Sequence, residues 1–355
     1  MKPISILTCS HPGELERCFE DLERGLDQGY WAAGYLSFEA GYALERKLKD
    51  ASESAFPLFH FGLYAPPEES PSFIRPPGSF TLSGFQLSQT YGHYERNIKA
   101  IRDYIAAGDV YQITYCLKAF FDFEGDPLGL YQTLLEEQPV PYSAYLEEEG
   151  RSILSLSPEM FLKKEGGFIT TKPMKGTWPR GTDEKSDREA QTFLENDPKN
   201  RAENIMIVDL MRNDLGKVGK GVEVPRLFEV TPYKTLFQMT STVTSQINPK
   251  QKFLELMRAL FPSGSVTGAP KIRAMEILRE LEGEDRRIYT GTIGYITPER
   301  DMYFNIPIRT LLIEDGKGEM GIGGGIVWDS TPEGEWAEGL LKARFFSELF
   351  IKLLK

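Results

Sequence analysis

Between residues 287 and 328, three strand-like runs, "RIYTGTIGYI", "MYFNIPIRTLLI" and "EMGIGGGIVW", are separated only by "TPERD" and "EDGKG". Connections this short join antiparallel neighbours, because parallel strands need a crossover of about a dozen residues or more. This stretch is predicted to be an antiparallel meander of three strands. It rules against a doubly wound parallel sheet.

Helices flank the meander. "GHYERNIKAIRDYIAAGD" puts Ile98, Ile101 and Ile105 on one face and ends at Gly108-Asp109. "VYQITYCLKAFFDF" follows as a long strand rich in β-branched and aromatic residues. Asp197 with Pro198, and Thr331 with Pro332, are N-cap and first-turn pairs for two later helices. Earlier, "YWAAGYLSFEAGYALE" reads as a strand running into a helix or turn, and the Pro-rich stretch 65–80 as a linker or long loop. The class is α+β, with antiparallel sheet and helices packed outside it.

Composition narrows the function. A chain of 355 residues with 41% hydrophobic and 26% charged residues has material for a large core. The net charge of -11 disfavours nucleic acid and anionic membrane as partners. The N-terminus lacks the pattern of a secretory signal, and Cys9, Cys18 and Cys116 lack metal or redox spacing. Both observations fit a cytoplasmic protein with reduced thiols. The three histidines, His11, His60 and His93, all lie at or before residue 93, so acid–base chemistry further along falls to carboxylates, Lys or Tyr.

Several charges stand where apolar residues are expected. On the helix from Pro198, Glu203 shares a face with Met206, Ile207, Leu210 and Met211. A carboxylate in such a stripe needs a cation or several donors, so either a structural salt bridge or a metal would serve. Glu335, Glu338 and Lys342 fall within about 60° of one another on the final helix, whose face continues into Phe346 and Leu349. Helix-dipole complementation with an exposed ion pair accounts for that pattern, and so does a charged cavity wall. Glu203 with Glu338 would make a Mg²⁺ site of the usual kind. Lys175, in "TKPMKGTWPRG", reads first as a surface-turn lysine.

Two glycine-rich stretches add backbone donors. "FPSGSVTGAPKIRAM" places Gly264 and Gly268 before a helix opening at Pro270, without the Gly-Lys-Ser/Thr of a nucleotide-binding loop. "GIGGGIVW" puts Gly323, Gly324 and Gly325 inside a strand, where something must approach the backbone closely. Arg309 is a charge within a strand of the same meander. Arginine, amide groups and Mg²⁺ together suit a small molecule carrying several carboxylates.

These stretches resemble the chorismate-utilising enzymes, the family of anthranilate, aminodeoxychorismate, isochorismate and salicylate synthases. "GDVYQITY", "SLSPEMF", "KPMKGTWPRG", "RAENIMIVDLMRNDLGKV", "FPSGSVTGAPKIRAMEIL", "YTGTIGY", "NIPIRTL", "GIGGGIVWDS" and "EWAEGLLKA" occur in family order between residues 108 and 343. The resemblance implies antiparallel sheets forming a sandwich-like core with helices outside. It also implies a region 1–85 that completes the fold and a catalytic core at 86–355.

The resemblance further implies site roles. Lysine at position 175 marks the branch that aminates chorismate at C4, where anthranilate synthases carry Ala. Lys175 would be the nucleophile that adds to the ring with loss of the C4 hydroxyl. Ammonia would then attack C4 and displace it. Glu159 would be the general acid. Glu203 and Glu338 would hold Mg²⁺, with Glu335 as a further ligand or support. Arg309, Tyr289, Gly324 and Gly325 would receive the enolpyruvyl carboxylate, and Lys342, Thr267 and Thr177 would line the pocket. Gln112 stands where the water-adding members carry a lysine base, which disfavours water as nucleophile.

Two residues depart from the family pattern. Gln238 replaces the usual His, which favours a product keeping its enolpyruvyl group. Thr114 replaces the usual Asn, with no functional account from sequence. None of the three cysteines lies on a glycine-flanked nucleophile elbow, so the resemblance implies a separate glutamine amidotransferase subunit as ammonia source. The alternatives are an anthranilate synthase component and a non-catalytic chorismate-binding regulatory subunit.

Overall fold

The computed structural model describes residues 2–48, 54–67, 76–233 and 236–353. Its elements begin β1 (Ser5–Cys9), α1 (Leu15–Asp27), β2 (Trp31–Leu36), α2 (Ala40–Leu44), β3 (Phe59–Tyr64), β4 (Phe80–Leu87) and α3 (Tyr91–Ala106). There follow β5 (Gln112–Gly125), α4 (Pro127–Glu137), β6 (Tyr142–Glu148), β7 (Arg151–Ser157), β8 (Met160–Glu165), β9 (Phe168–Lys172), β10 (Met174–Pro179), α5 (Glu184–Asn196) and α6 (Pro198–Val218). The remainder holds β11 (Lys220–Pro232), β12 (Leu236–Gln246), α7 (Phe253–Leu260), β13 (Gly268–Ala269) and α8 (Lys271–Leu281). Last come β14 (Thr292–Ile296), β15 (Met302–Asn305), β16 (Thr310–Glu314), β17 (Lys317–Ile326) and α9 (Pro332–Leu353). Within the Pro-rich stretch 65–80, residues 68–75 lie outside the described residues.

The strands form two open antiparallel sheets. The larger has ten strands in the order β1-β3-β2-β14-β15-β8-β9-β12-β10, with β11 also on β12. The smaller has seven in the order β13-β5-β17-β16-β7-β6, with β4 also on β5. Helices cover the outer faces. Phe19, Ile207, Met211, Phe253 and Leu256 from α1, α6 and α7 pack with Phe61, Phe161, Val243 and Phe304 of the larger sheet. Ile98, Ile101, Leu130, Leu278 and Phe346 from α3, α4, α8 and α9 pack with Ile113, Leu117, Leu154, Leu311 and Ile322 of the smaller. Each buried side chain of this size stabilises by about 1.5–3 kcal/mol. The N-terminal strands are integral to the larger sheet, since β2 pairs with β14.

The space between the sheets is different in character. A small apolar cluster, Tyr35, Phe56, Ile153, Ile288, Ile293 and Leu312, occupies one part of it. Strand alternation then sends Gln112, Thr114, Cys116 and Lys118 of β5 to the inner face, because Ile113, Tyr115, Leu117 and Ala119 fill the outer core. This polar inner face leads to the site.

The meander is corrected in one respect. Four strands occur where three were expected, and they divide between the sheets: β14 and β15 belong to the larger, β16 and β17 to the smaller. The break lies at residues 306–309. Pro307 has no N–H to give a ladder, and Arg309 takes φ +51, so the strand cannot continue. Arg309 therefore sits in the crossover between the sheets rather than within a strand.

The two expected helix caps form: Asp197 accepts from Asn200 N at 2.8 Å and Thr331 Oγ1 from Gly334 N at 3.2 Å. The buried stripe of α6, however, is Asn204, Ile207, Val208, Met211, Asp214 and Leu215. Glu203 lies at the stripe's edge, half-buried, rather than at its centre. Hydrophobic periodicity placed the stripe wrongly because it could not count Asn204 and Asp214 as inward-facing.

Candidate active site

Lys175 occupies a β-bulge instead of the turn expected from its sequence. Met174 faces Thr240 and Thr177 faces Gln238, so β10 carries one residue more than β12 in this interval. Gly176 relieves the bulge at φ +105. The backbone is tied to α6, where Asn204 Nδ2 donates to Lys175 O at 3.4 Å and Asn204 Oδ1 accepts from Ser241 Oγ at 2.6 Å. A bulge re-aims its side chain, and here the amine reaches across to the smaller sheet. A Cβ built on Gly325 would lie 2.9 Å from Lys175 Nζ and 2.6 Å from Gln112 Nε2.

Burial pulls the Lys175 pKa down, Lys342 adds to the effect, and the carboxylates of Glu203, Glu159 and Glu338 oppose it. The net direction is downward. Neutral amine is correspondingly more accessible than on a surface lysine.

Glu159, 4% exposed, lies just ahead of β8. Ser265 Oγ donates to its Oε1 at 2.8 Å. Burial raises its pKa to about 7, against the opposing pull of Ser265, Lys175, the Met174 amide and Lys342. A carboxyl with that pKa is partly protonated at neutral pH and can deliver a proton.

Helices α6 and α9 bring further carboxylates. Glu203 Oε1 is 4.0 Å from Lys199 Nζ, Glu338 Oε1 is 2.7 Å from Lys342 Nζ, and Glu335 Oε1 accepts from Ser330 Oγ at 2.6 Å. Burial opposes ionisation of Glu338, but Lys342, Lys175 and Lys199 together hold its pKa low. Glu335 is shifted upward, by burial first and then by Glu338, against Ser330 and the lysines. Glu338 and Lys342 stand on the solvent side, with side chains 52% and 43% exposed, whereas Glu335 is buried. Lys342 Nζ also donates to Gly323 O at 3.1 Å. A Cβ on Gly324 would be 3.3 Å from Glu335 Oε2, so β17 shows bare backbone to the carboxylates on one face and to Lys175 on the other.

These acids suit a divalent cation. Glu203 and Glu338 both act on Lys175, and Lys199 acts on Glu335 and Glu338 besides facing Glu203. Among the described residues no three metal-ligating groups are close enough to form a complete cage. A Mg²⁺ ion would take one or two carboxylates and fill its sphere with water and substrate oxygens.

The remaining expected residues are spread more widely. Arg309 is half-buried and, among the described residues, has no carboxylate within salt-bridge distance; burial lowers its pKa, with Tyr233 opposing. Tyr289 lies with its ring over Gly321, four residues along β17 from Gly325, and its hydroxyl is directed to Cys116. Thr267 is fully buried and its hydroxyl donates to Ser263 O at 3.0 Å, so that group already serves the loop. Thr177 is exposed beside Gln238.

Gln112 and Gln238 are 0% and 1% exposed, and neither side-chain amide has a hydrogen-bond partner among the described residues. Phe237 and Met239 pack outward against Leu194, so alternation turns Gln238 toward the inter-sheet side. Unsatisfied buried amides cost about 1–3 kcal/mol each, which a polar ligand would recover. Thr114, unexplained from sequence, has a structural part: its hydroxyl donates to Ser265 O at 3.4 Å and its N–H to Thr267 O at 2.7 Å.

Sequence reasoning missed Ser265, Asn204 and Ser330, the groups that hold Glu159, Lys175 and Glu335 in place. Ser265 lies inside a stretch singled out for its glycines, and that was the available signal. The groups that act on one another are a buried proton donor, Glu159, a lysine of lowered pKa, Lys175, and the carboxylates of Glu203 and Glu338, while Arg309 stands apart with no carboxylate partner among the described residues. Such a set can protonate a leaving hydroxyl, supply a nitrogen nucleophile and bind carboxylates.

A family model described as chorismate binding enzyme matches residues 67–348. Aminodeoxychorismate synthase component 1 of Salmonella typhimurium is 41% identical over 258 residues, 72% of this chain and 57% of that protein. Anthranilate synthase component 1 of Aquifex aeolicus is 38% identical over 257 residues, 72% of this chain and 52% of that one. The chain thus spans little more than half the length of these curated relatives. The crystal structure of anthranilate synthase component I from Streptococcus pneumoniae TIGR4 superposes with a TM-score of 0.78 at 26% identity, covering 89% of this chain and 80% of that one.

Proposed function

The chain belongs to the chorismate binding enzyme family, and we propose that it is the aminodeoxychorismate synthase large component, converting chorismate and ammonia to 4-amino-4-deoxychorismate and water. The observation that carries this reading is the Lys175 amine set beside Gly325, with buried Glu159, whose pKa burial raises to about 7, acting on it. The relatives named aminodeoxychorismate synthase support the same choice.

The chemistry follows from the groups present. Neutral Lys175 forms a C–N bond to the ring while the C4–O bond breaks, and Glu159 gives its proton to the departing hydroxyl, which leaves as water. The new ammonium on Lys175 returns a proton to Glu159. Ammonia then attacks C4; the C–N bond to Lys175 breaks as Glu159 protonates the leaving amine, and the product ammonium restores that proton. Two easier displacements replace one hard one. Arg309 and the amides of Gly324 and Gly325 would take the carboxylates, while Tyr289, Thr267 and Thr177 would shape the surroundings rather than bond the substrate, since the Tyr289 hydroxyl is directed to Cys116 and that of Thr267 serves its own loop. Gln112 and Gln238 are neutral amides and offer hydrogen bonds without acting as bases.

Glu203 and Glu338, with Glu335 in support, would hold Mg²⁺. Bound there, the ion would neutralise a substrate carboxylate. Among the described residues no helix is long and apolar enough to cross a membrane. The words "component 1" in the relatives' names support a partner component, read here as a glutamine amidotransferase delivering ammonia.

A single-turnover reaction with chorismate and Mg²⁺, ammonia withheld, tests the nucleophile. Intact mass should rise by chorismate less water, and the label should map to the peptide carrying Lys175. An unlabelled Lys175 in enzyme that aminates chorismate once ammonia is added would remove the covalent step.

A further inference from the structure

The residue that ties the site together lies outside it. Arg286 is 3% exposed, in the loop between α8 and β14. Its Nε and Nη2 form a fork on Glu282, at 2.8 and 2.6 Å. The remaining donors reach three separate elements. Nη1 donates to Val266 O at 2.8 Å and to Thr290 Oγ1 at 3.1 Å, and Nη2 to Thr114 O at 2.6 Å.

Each acceptor neighbours a residue of the proposed site. Val266 stands between Ser265, which bonds Glu159, and Thr267. Thr114 is two residues from Gln112 and opposite Gly325. Thr290 follows Tyr289 and takes φ +58. From below, Glu39 of the N-terminal region accepts Arg286 N at 2.8 Å and Arg287 N at 3.0 Å. The guanidinium face lies 4.3 Å from the Phe38 ring.

We infer that Arg286 is a positioning residue for catalysis, setting the Ser265–Thr267 loop, the start of β5 and the Tyr289–Thr290 segment against one another so that Ser265 keeps its bond to Glu159. The inference rests on the amination reading for its catalytic meaning, but its geometry does not. A guanidinium suits the task because it is planar, always charged and carries five N–H donors in a fixed fork. A lysine ammonium has three donors on a flexible stem and cannot span Glu282 and three further acceptors. An arginine serving only to neutralise Glu282 would need none of the carbonyl bonds.

The test follows Glu159 directly, by ¹³C NMR titration of the glutamate carboxyls in the full chain, with the resonance assigned from Glu159→Gln. Lys175 from β10, Lys342 from α9 and Ser265 face this carboxyl and are kept in view as its charged and polar neighbours. Ser265→Ala removes a bond to the ionised form, so the titration should move upward by on the order of one pH unit. Arg286→Lys should move it in the same direction, and the double variant should move it no further than Ser265→Ala alone. The upper limb of the kcat/KM profile should follow.

An Arg286→Lys titration matching wild type, or a double variant in which the shifts add, overturns the inference. Should Arg286→Lys fail to fold, Glu282→Gln keeps the guanidinium while weakening its fork, and the same cycle with the same outcomes decides. Because the titration is read without turnover, failure of the amination reading and failure of this inference are separable.

Discussion

Lys175 on the larger sheet points its amine at the bare backbone of Gly325 on the smaller, so closely that a Cβ on Gly325 would come within 2.9 Å of Nζ. The atoms in the way are the ends of two flexible side chains, Lys175 and Gln112. Gly325→Ala should therefore fold with stability within about 1 kcal/mol of wild type while misplacing the nucleophile. Turnover is expected to fall by about 10²-fold, the scale on which a 1 Å displacement acts. Gly324→Ala, whose Cβ would meet Glu335 at the looser distance of 3.3 Å, should lose less than about tenfold. Steady-state kinetics and thermal melts of the two variants check the contrast.

Lys175→Ala should reduce amination at C4 by roughly 10³-fold or more, the order seen when a nucleophile is removed. Chorismate affinity, followed by calorimetry, should change far less. Amination at the wild-type rate would take Lys175 out of the mechanism.

The pH dependence has a definite sign. Glu159 must carry a proton, and its pKa is pushed up to about 7, so kcat/KM should fall as pH rises through that region. Lys175 must be neutral, and its pKa is lowered, so an acid limb should lie below the range of an ordinary lysine. A flat profile between pH 6 and 9 would contradict the assignment of Glu159.

The raised pKa of Glu159 also bears on stability. The folded state holds this proton more tightly than the unfolded chain, so stability is lost as pH rises from the ordinary 4.5 through about 7. Glu159→Gln removes the penalty. At pH 8 it should be more stable than wild type by about 3 kcal/mol, with the advantage vanishing toward pH 4.5, while turnover collapses. Urea denaturation at the two pH values measures this.

Chelation of Mg²⁺ should abolish turnover reversibly. Glu203→Gln and Glu338→Gln should each raise the Mg²⁺ concentration needed for half-maximal rate. Glu335→Gln should have the smaller effect, since Glu335 is already engaged by Ser330. Equal rates with and without the ion would remove it from the account.

Local chemistry made much of this legible in the sequence. Asp197-Pro198 and Thr331-Pro332 announced their helices because caps act over three residues. The short turns at "TPERD" and "EDGKG" gave antiparallel pairing for the same reason. What stayed hidden depends on contacts across the fold. Nothing local says that Pro307 and Arg309 carry the chain from one sheet to the other. Asn204 and Asp214 hid the true inner face of α6, because polar residues that find buried partners look like surface. Lys175 read as a turn lysine because a bulge with Gly176 at φ +105 and a tight turn favour the same residue types. Arg286, beside Arg287 in "EDRRIY", carries no local signal of its role, because its acceptors at 114, 266, 282 and 290 come together only in the fold.

The most direct measurement is product analysis by mass spectrometry after the chain is incubated with chorismate, Mg²⁺ and ammonium chloride. The account expects an amine at C4 with the enolpyruvyl group retained. Anthranilate, with pyruvate released, would contradict it and place the chain with the anthranilate synthases.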